Sequence, residues 1–424
     1  MRIKELIIKI LTIKEIAIAS RIALGVMFIF SGFVKGIDPW GSTYKFIDYF
    51  TAFNMMWMHQ AAFILAIVQN AAEFVIGVAL VLGLRMRETA WGALLFMLFF
   101  TPLTFILALT NPVTDCGCFG DALILTNWET FFKNLVMMVP TVIIFLYRNK
   151  YRPAYRAIAE WGWVAAFTVL ILWVSIHCYR HLPWIDFRPY HIGADIPGGM
   201  TVPEGMPTDV YETILYYEKD GVVKEFTQYN FPWDDTTWIW KSSESFLVVE
   251  GYKPPIQDFS ITNAYGFDIT EDVLADYGYT FLLVAHQMNK SNKQALKKAE
   301  EIANYCNDNG HRFYCLTASP SGDIEQITSE LGLEYEICTT DDITLKTIVR
   351  ANPGLLLLQN GTVIGKWHNN DMPEVDELKP NLLSFALKQQ AQKTKKKLNQ
   401  VVYLAFVFIA FTFFHFRLSE KTEN

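Results

Sequence analysis

The stretch Asp115-Cys116-Gly117-Cys118-Phe119-Gly120-Asp121 separates two long apolar runs, and the rest of the chain is organised around it. Two thiols one residue apart, in a turn relaxed by glycine, stand at the end of a membrane-length segment. A Cys-x-Cys disulfide closes a very small ring, departs from relaxed geometry and is comparatively easy to reduce. Such a pair suits electron exchange better than permanent stapling. The plainer reading makes Cys116 and Cys118 small apolar fillers of a loop. The glycines between and after the thiols, and the acidic flanks, favour a redox or metal role.

Composition frames the surroundings. A chain of 424 residues holds two or three units, and 52% hydrophobic with 15% aromatic residues is high for a wholly water-soluble protein. The excess falls into continuous runs near the N-terminus and one at the C-terminus, with a polar stretch between. A net charge of -7 argues against a nucleic-acid partner, which demands a basic face. Six cysteines make no disulfide framework in so long a chain. No cleavable signal is expected, because Lys4, Lys9, Lys14 and Arg21 interrupt the first apolar run.

Residues 1–20 read as an amphipathic helix on the membrane surface, with Leu, Ile and Ala interleaved with Lys and Glu from Lys4 to Ser20. A helical bundle of four to five spans follows over 21–180, with spans near 22–34, 61–84, 89–109, 128–147 and 161–178. Gly25 and Gly32 permit close helix contact in the first. The segment from Lys35 to Gln60 is polar, with interfacial aromatics. Glu73 lies near the middle of the second span, where an unpaired carboxylate costs several kcal/mol, on the order of the intramembrane penalties. It is a candidate proton-relay residue. Its structural alternative is a helix-joining group paired through Asn70 or Lys35. In the third span, Thr101 and Thr104 flank Pro102 and can satisfy backbone that the proline frees.

Basic residues cluster before span one, at Arg85 and Arg87, and at Arg148 to Arg156. The positive-inside rule puts these on the cytoplasmic side, and the cysteine loop and everything after span five on the other. The expectation is a multi-pass protein of a bacterial inner membrane, its soluble part in the periplasm, where thiol pairs are oxidised and exchanged. An anchor over 398–417, built on the run Val401 to Phe416, returns the chain to the cytoplasm. Lys393, Lys395, Lys396 and Lys397 run against that orientation, and the earlier spans are expected to outvote them.

Ser31-Gly32-Phe33-Val34-Lys35 with Asp38-Pro39, Glu73 with Gly77 and Gly83, and Cys116-Gly117-Cys118-Phe119-Gly120 together resemble the DoxX-like membrane proteins, in the branch that includes the methylamine-utilisation protein MauE. The resemblance covers roughly residues 20 to 180. It implies support of thiol and disulfide handling outside the cytoplasmic membrane, beside a thioredoxin-like partner.

The polar half divides again. Residues 181–253 form a β-rich connecting region, with Asp186-Phe187-Arg188-Pro189-Tyr190, a hairpin around Lys219-Asp220-Gly221, and Trp233, Trp238 and Trp240. It is expected to pack on the next domain. Residues 254–392 alternate strand and helix, as an α/β sheet requires. Strands are expected at Phe281 to Ala285, Arg312 to Leu316, Tyr335 to Cys338, Leu355 to Gln359 and Thr362 to His368. The last pair is joined by Asn360-Gly361, and a final helix is expected from about Glu374 to Lys388. This order, with Pro254-Pro255-Ile256-Gln257-Asp258-Phe259-Ser260 and Asn352-Pro353-Gly354, resembles a thioredoxin-like domain tethered to a membrane. The resemblance makes Pro353 the candidate cis-proline. Where that family carries Cys-x-x-Cys, this chain reads His286-Gln287-Met288-Asn289, so independent thiol turnover by the domain is not expected. Cys306, Cys315 and Cys338 read as buried thiols.

Two functional readings follow. In the first, Cys116 and Cys118 cycle between dithiol and disulfide, exchanging electrons with a periplasmic thiol protein. A quinone is then the natural carrier, Glu73 the candidate relay and Cys178 a candidate resolving thiol. In the second, the protein is a non-catalytic scaffold whose thioredoxin-like domain binds a partner. Two cysteines with Asp115 and Asp121 do not complete a usual zinc site.

Overall fold

The computed structural model describes residues 14–153, 155–249, 251–379 and 381–388, together with residue 391. The expected anchor over 398–417 and residues 1–13 lie outside the described residues. Six helices open the chain: α1 (Lys14–Ile37), α2 (Pro39–Ala52), α3 (Ala62–Leu82), α4 (Met86–Thr110), α5 (Asn127–Tyr147) and α6 (Ala157–Arg180). Among the described residues five segments are long and apolar enough to cross a membrane, and α2 is the extra, shorter helix. The break expected at residue 20 is absent. Lys14 to Ile37 is one helix, because buried Ala17, Ser20 and Leu24 continue a single inward stripe. Likewise the polar segment after Lys35 is largely helical. Asp38 caps α2 by accepting a hydrogen bond from Gly41 N–H at 3.0 Å, and Pro39 begins it.

Glycine sets the tightest helix crossing. A Cβ on Gly32 would lie 2.5 Å from the backbone nitrogen of Phe74, and one on Gly77 would lie 2.6 Å from that of Ile29. The α1 and α3 backbones therefore meet as small-residue interfaces in membranes allow. In α4 the Thr104 hydroxyl donates to the Phe100 carbonyl at 2.9 Å and accepts from Asn134 Nδ2 at 3.1 Å. The carbonyl that Pro102 frees is that of Leu98, so Thr104 ties α4 to α5 and leaves the proline site alone.

After α6 the chain leaves the bundle and builds two sheets. The first is β1 (Val210–Lys219), β2 (Val222–Thr227) and β3 (Ile239–Val249), in order β2-β1-β3 and antiparallel. Asp220 and Gly221 take φ of 54° and 78°, the left-handed pair of a type I′ hairpin turn. The packing expected of residues 181–253 on the next domain is not made by this sheet. Strand β3 is exposed along its whole length, and the aromatics are used locally, with Tyr217, Phe226 and Trp238 touching edge to face. What packs instead is the preceding segment, whose Tyr190 and Ile196 enter the α/β core.

That core belongs to the α/β domain. Its strands are β4 (Tyr279–Val284), β5 (Arg312–Thr317), β6 (Glu336–Thr339), β7 (Gly354–Gln359) and β8 (Thr362–His368), in order β6-β5-β4-β7-β8. The β4–β5–β6 ladder is parallel, and β7 and β8 are antiparallel. Central strands buried on both faces need continuous apolar runs. In β4, Phe281 and Leu283 face α7 (Lys293–Asn309) and α8 (Ser321–Leu331), whereas Leu282 and Val284 face α9 (Asp342–Ile348). Leu355 to Leu358 in β7 divide the same way. The expected last helix is broken. Residues 375–378 are helical, Lys379 is extended with ψ of 138°, and the helix resumes at 382. Pro380 in the sequence accounts for this, since a residue before proline is driven out of the helical region.

The Asp186 motif locks the lead-in segment to β8. Asp186 accepts from Lys366 Nζ and from Arg188 Nε, each at 2.7 Å, and Arg188 also donates to the Thr347 carbonyl at 3.1 Å. Burial pushes the Asp186 carboxyl upward, but Lys366 and then Arg188 outweigh it and hold the group well below the usual carboxylate range. A depressed folded pKa stabilises the protein fully above the ordinary carboxylate value, and that contribution fades as pH falls through the folded value. Asp186→Asn is therefore expected to cost about 3 kcal/mol at neutral pH, by removing the carboxylate that offsets the burial of Lys366 and Arg188. Denaturation of the full-length protein at pH 7 and in acid should show the gap between wild type and variant narrowing as pH falls.

Candidate redox site

The cysteine loop is held from three helices. On α1, the Ser31 hydroxyl donates to the Cys118 carbonyl at 2.6 Å. On α2, Tyr49 OH donates to the Cys116 carbonyl, and Lys45 Nζ pairs with Asp115 at 2.6 Å. The other Asp115 oxygen accepts from Gly117 N–H at 2.8 Å, an Asx turn that draws the two cysteines together. Gly117 has φ of 65°, and a Cβ there would lie 2.9 Å from Lys45 Cγ, so both conformation and space require glycine. On α5, Lys133 Nζ lies 4.5 Å from the centre of the Phe119 ring.

The two thiols lie 3.2 Å apart, sulfur to sulfur. A bond of about 2.05 Å is therefore reached by a small movement. Their environments differ. Cys118 is pushed down to about 6, first by the hydrogen bond from Cys116, with burial opposing and Lys133 and Lys35 assisting. Cys116 is raised by the same hydrogen bond and by burial. One proton shared between two sulfurs leaves Cys118 the thiolate and Cys116 the thiol.

Both cysteines line a cavity of about 70 Å³ between the loop, α1, α3, α4 and α5. That is space for about five waters at 10–15 Å³ each. Glu73 lines the same cavity and pairs with Lys35, both side chains being 7% exposed. Asn70 donates to the Lys35 carbonyl and to Ser42 Oγ, each at 3.0 Å, while its own oxygen is buried without a partner. The cysteine pair and Glu73, far apart in sequence, thus line one cavity. Cys178 does not. It is buried on α6 among Ile37, Val174 and Trp184. Among the described residues no group of three or more His, Cys, Asp or Glu side chains forms a metal cluster.

In the α/β domain the peptide between Asn352 and Pro353 is cis, as the sequence led us to expect. The segment from Gln287 to Ser291 is stitched to it: Ser291 Oγ donates to Asn352 Oδ1 at 2.8 Å, and Asn352 Nδ2 donates to the Gln287 carbonyl at 2.9 Å. Asn292 caps α7, its side-chain oxygen accepting from Ala295 N–H at 3.1 Å. His286 is buried and pushed down to about 4, by burial and then by Lys346. Its Nδ1 lacks a hydrogen-bond partner and stands 3.8 Å from Asp342. Cys306, Cys315 and Cys338 are buried, and burial pushes Cys306 and Cys338 up to about 12.

Sequence reasoning missed Lys133, Tyr49 and Arg350, whose guanidinium pairs with Asp38 and with Asp121 of the cysteine loop. Lys133 was recoverable, since it is a cation inside the apolar run that became α5 and such residues are functional candidates. Tyr49 and Arg350 act through contacts that no local pattern encodes.

Residues 13–147 match the family model of the methylamine utilisation protein MauE, and residues 211–250 match that of a domain of unknown function (DUF8463). No curated protein matches the chain. Among solved structures, the chain is similar to a candidate protein disulfide isomerase from Bacteroides thetaiotaomicron, with 13% identity, a TM-score of 0.24 and coverage of 34% of this chain and 86% of that one. It is also similar to a secreted Mycobacterium tuberculosis disulfide oxidoreductase homologous to E. coli DsbE, with 15% identity, a TM-score of 0.23 and coverage of 31% and 96%. The chain thus joins a helical bundle with five segments of membrane-spanning length, over which the MauE family model matches, to an α/β domain with the sheet order β6-β5-β4-β7-β8.

Proposed function

We propose that this protein is a DoxX-like thiol-disulfide exchange component of a bacterial inner membrane, with the cysteine loop and the α/β domain on the periplasmic side. The observation that carries the reading is the Cys116–Cys118 pair, 3.2 Å apart, one sulfur activated and the other protonated, on the cavity that also holds the Lys35–Glu73 ion pair. The orientation is supported by charge and by contact. Arg85, Arg87 and Arg148 lie at the bundle end opposite the loop, and Arg350 of the α/β domain bonds Asp121 beside the cysteines.

In the oxidative direction, the Cys118 thiolate attacks a disulfide of a periplasmic protein. A bond forms between Cys118 and one partner sulfur, the partner disulfide breaks, and its second sulfur leaves as a thiolate. Cys116 then gives up its proton and attacks Cys118, which releases the first partner sulfur. The partner has gained two electrons, and the loop holds a disulfide. The reverse sequence oxidises the partner. A membrane quinone suits the other half-reaction, because it exchanges two electrons together with two protons. Glu73, on the shared cavity, is the candidate to hold a proton during that exchange.

The scaffold reading retains one specific support, the sequence His286-Gln287-Met288-Asn289 at the position of a dithiol. The two readings part in a redox titration of the purified full-length protein, read by mass-tagged alkylation. Exchange chemistry predicts one reversible two-electron transition at Cys116 and Cys118, above about -300 mV, where labile disulfides lie. Thiols that never oxidise, or a bond that resists reduction below that potential, would leave the scaffold.

A further inference from the structure

The α/β domain carries no Cys-x-x-Cys pair, yet it keeps a firm hold on the bundle's thiols. Arg350, three residues before the cis-proline and 8% exposed in its side chain, leaves its own domain to bind two carboxylates of the bundle. Its Nε lies 3.0 Å from Asp38 Oδ2 and 3.2 Å from Oδ1, and a terminal nitrogen lies 2.9 Å from Asp121 Oδ2. The guanidinium is aimed from behind by its bond to the Lys346 carbonyl at 2.7 Å, and it lies over the Tyr44 ring at 5.3 Å.

Each carboxylate leads to the cysteines. Asp121 lies three residues after Cys118. Asp38 caps α2, the helix whose Lys45 and Tyr49 hold Asp115 and the Cys116 carbonyl. One guanidinium thus fixes the loop from its far end and the helix that fixes its near end. An arginine can do this because its planar fork reaches two carboxylates in defined directions and its charge is retained on burial.

We propose that Arg350 is a positioning residue for the Cys116–Cys118 pair, so that the α/β domain serves as an intramolecular clamp setting the separation and reactivity of the bundle's thiols. The proposal rests on the redox reading of that site. It gives the α/β domain a role that needs no cysteine of its own. Without the clamp, Asp121 is released, the loop relaxes, and Cys118 loses both the Cys116 hydrogen bond and its place beside Lys133.

The test uses the full-length protein in lipid nanodiscs and reads the pH profile of Cys118 alkylation alongside the redox titration. In wild type the midpoint is expected near 6. In Arg350→Gln it should move to about 8, toward an ordinary thiol, which lowers the thiolate fraction at pH 7 about tenfold. Asp121→Asn should move it the same way, and the double variant no further than the larger single effect, as residues sharing one interaction require. Asp186→Asn loosens the same domain without touching the loop, so it should leave the midpoint in place. If Arg350→Gln fails to fold, Asp121→Asn alone decides. A midpoint unmoved in these variants while the wild-type pair cycles normally would overturn the clamp. A wild-type pair that does not cycle would overturn the redox reading instead. Equal shifts in Asp186→Asn would reduce Arg350 to a stability contact and overturn the positioning role.

Discussion

Cys118→Ser is expected to abolish thiol-disulfide exchange, with turnover falling by at least about 100-fold, whereas Cys116→Ser should react once and stop. The asymmetry comes from the shared proton. Cys118 is the sulfur held down toward the thiolate form, by the Cys116 hydrogen bond and by Lys133. Serine in its place leaves only the buried, protonated Cys116, a poor nucleophile. Serine at 116 leaves the attacking thiolate but removes the group that resolves the mixed disulfide, so the partner stays attached. Non-reducing electrophoresis after an acid quench reads both outcomes. The Cys116 variant should carry a covalently bound protein, released by reductant, and the Cys118 variant should carry none. The opposite pattern would reverse the two roles, and adducts in neither variant would remove the exchange chemistry.

The second large effect is expected at Glu73. Its partner Lys35 is buried beside it, so Glu73→Leu strands a cation in the bundle at a cost of about 3–5 kcal/mol. Lys35→Met in the same chain should recover most of that loss, because an apolar pair of similar volume replaces a costly ion pair. Thermal unfolding in detergent measures the stability side. Turnover of the double variant separates structure from chemistry. A stable double variant with slow exchange supports Glu73 as a proton-holding group, while a stable and fully active one confines it to joining α1 and α3. A single Glu73→Leu variant as stable as wild type would contradict the pairing itself.

Apolar runs made the spans legible, and buried central strands made β4 and β7 legible, because each rests on a pattern within a few residues. The Asn360-Gly361 and Lys219-Asp220-Gly221 turns were readable for the same reason, since they call for left-handed backbone. Boundaries set by tertiary packing were not. Residues 14–20 carry the charges of a surface helix, yet they continue α1 because one side of that stripe is buried. The aromatic strands β1 to β3 suggested a packed layer, but their aromatics face one another. At the site, Cys116, Cys118 and Glu73 stood out by type and depth. Their gathering on one cavity depends on the helix crossing made by Gly32 and Gly77. The Arg350 clamp joins residues 229 and 312 positions apart, so nothing local announced it.

The most direct test is the redox state of Cys116 and Cys118 in intact cells, read by acid-quenched differential alkylation and mass spectrometry through a brief reducing pulse. The account predicts a pair that is oxidised before the pulse, reduced by it and oxidised again afterwards, with Cys306, Cys315 and Cys338 unchanged throughout. Thiols that stay reduced, or a disulfide that never responds, would contradict it.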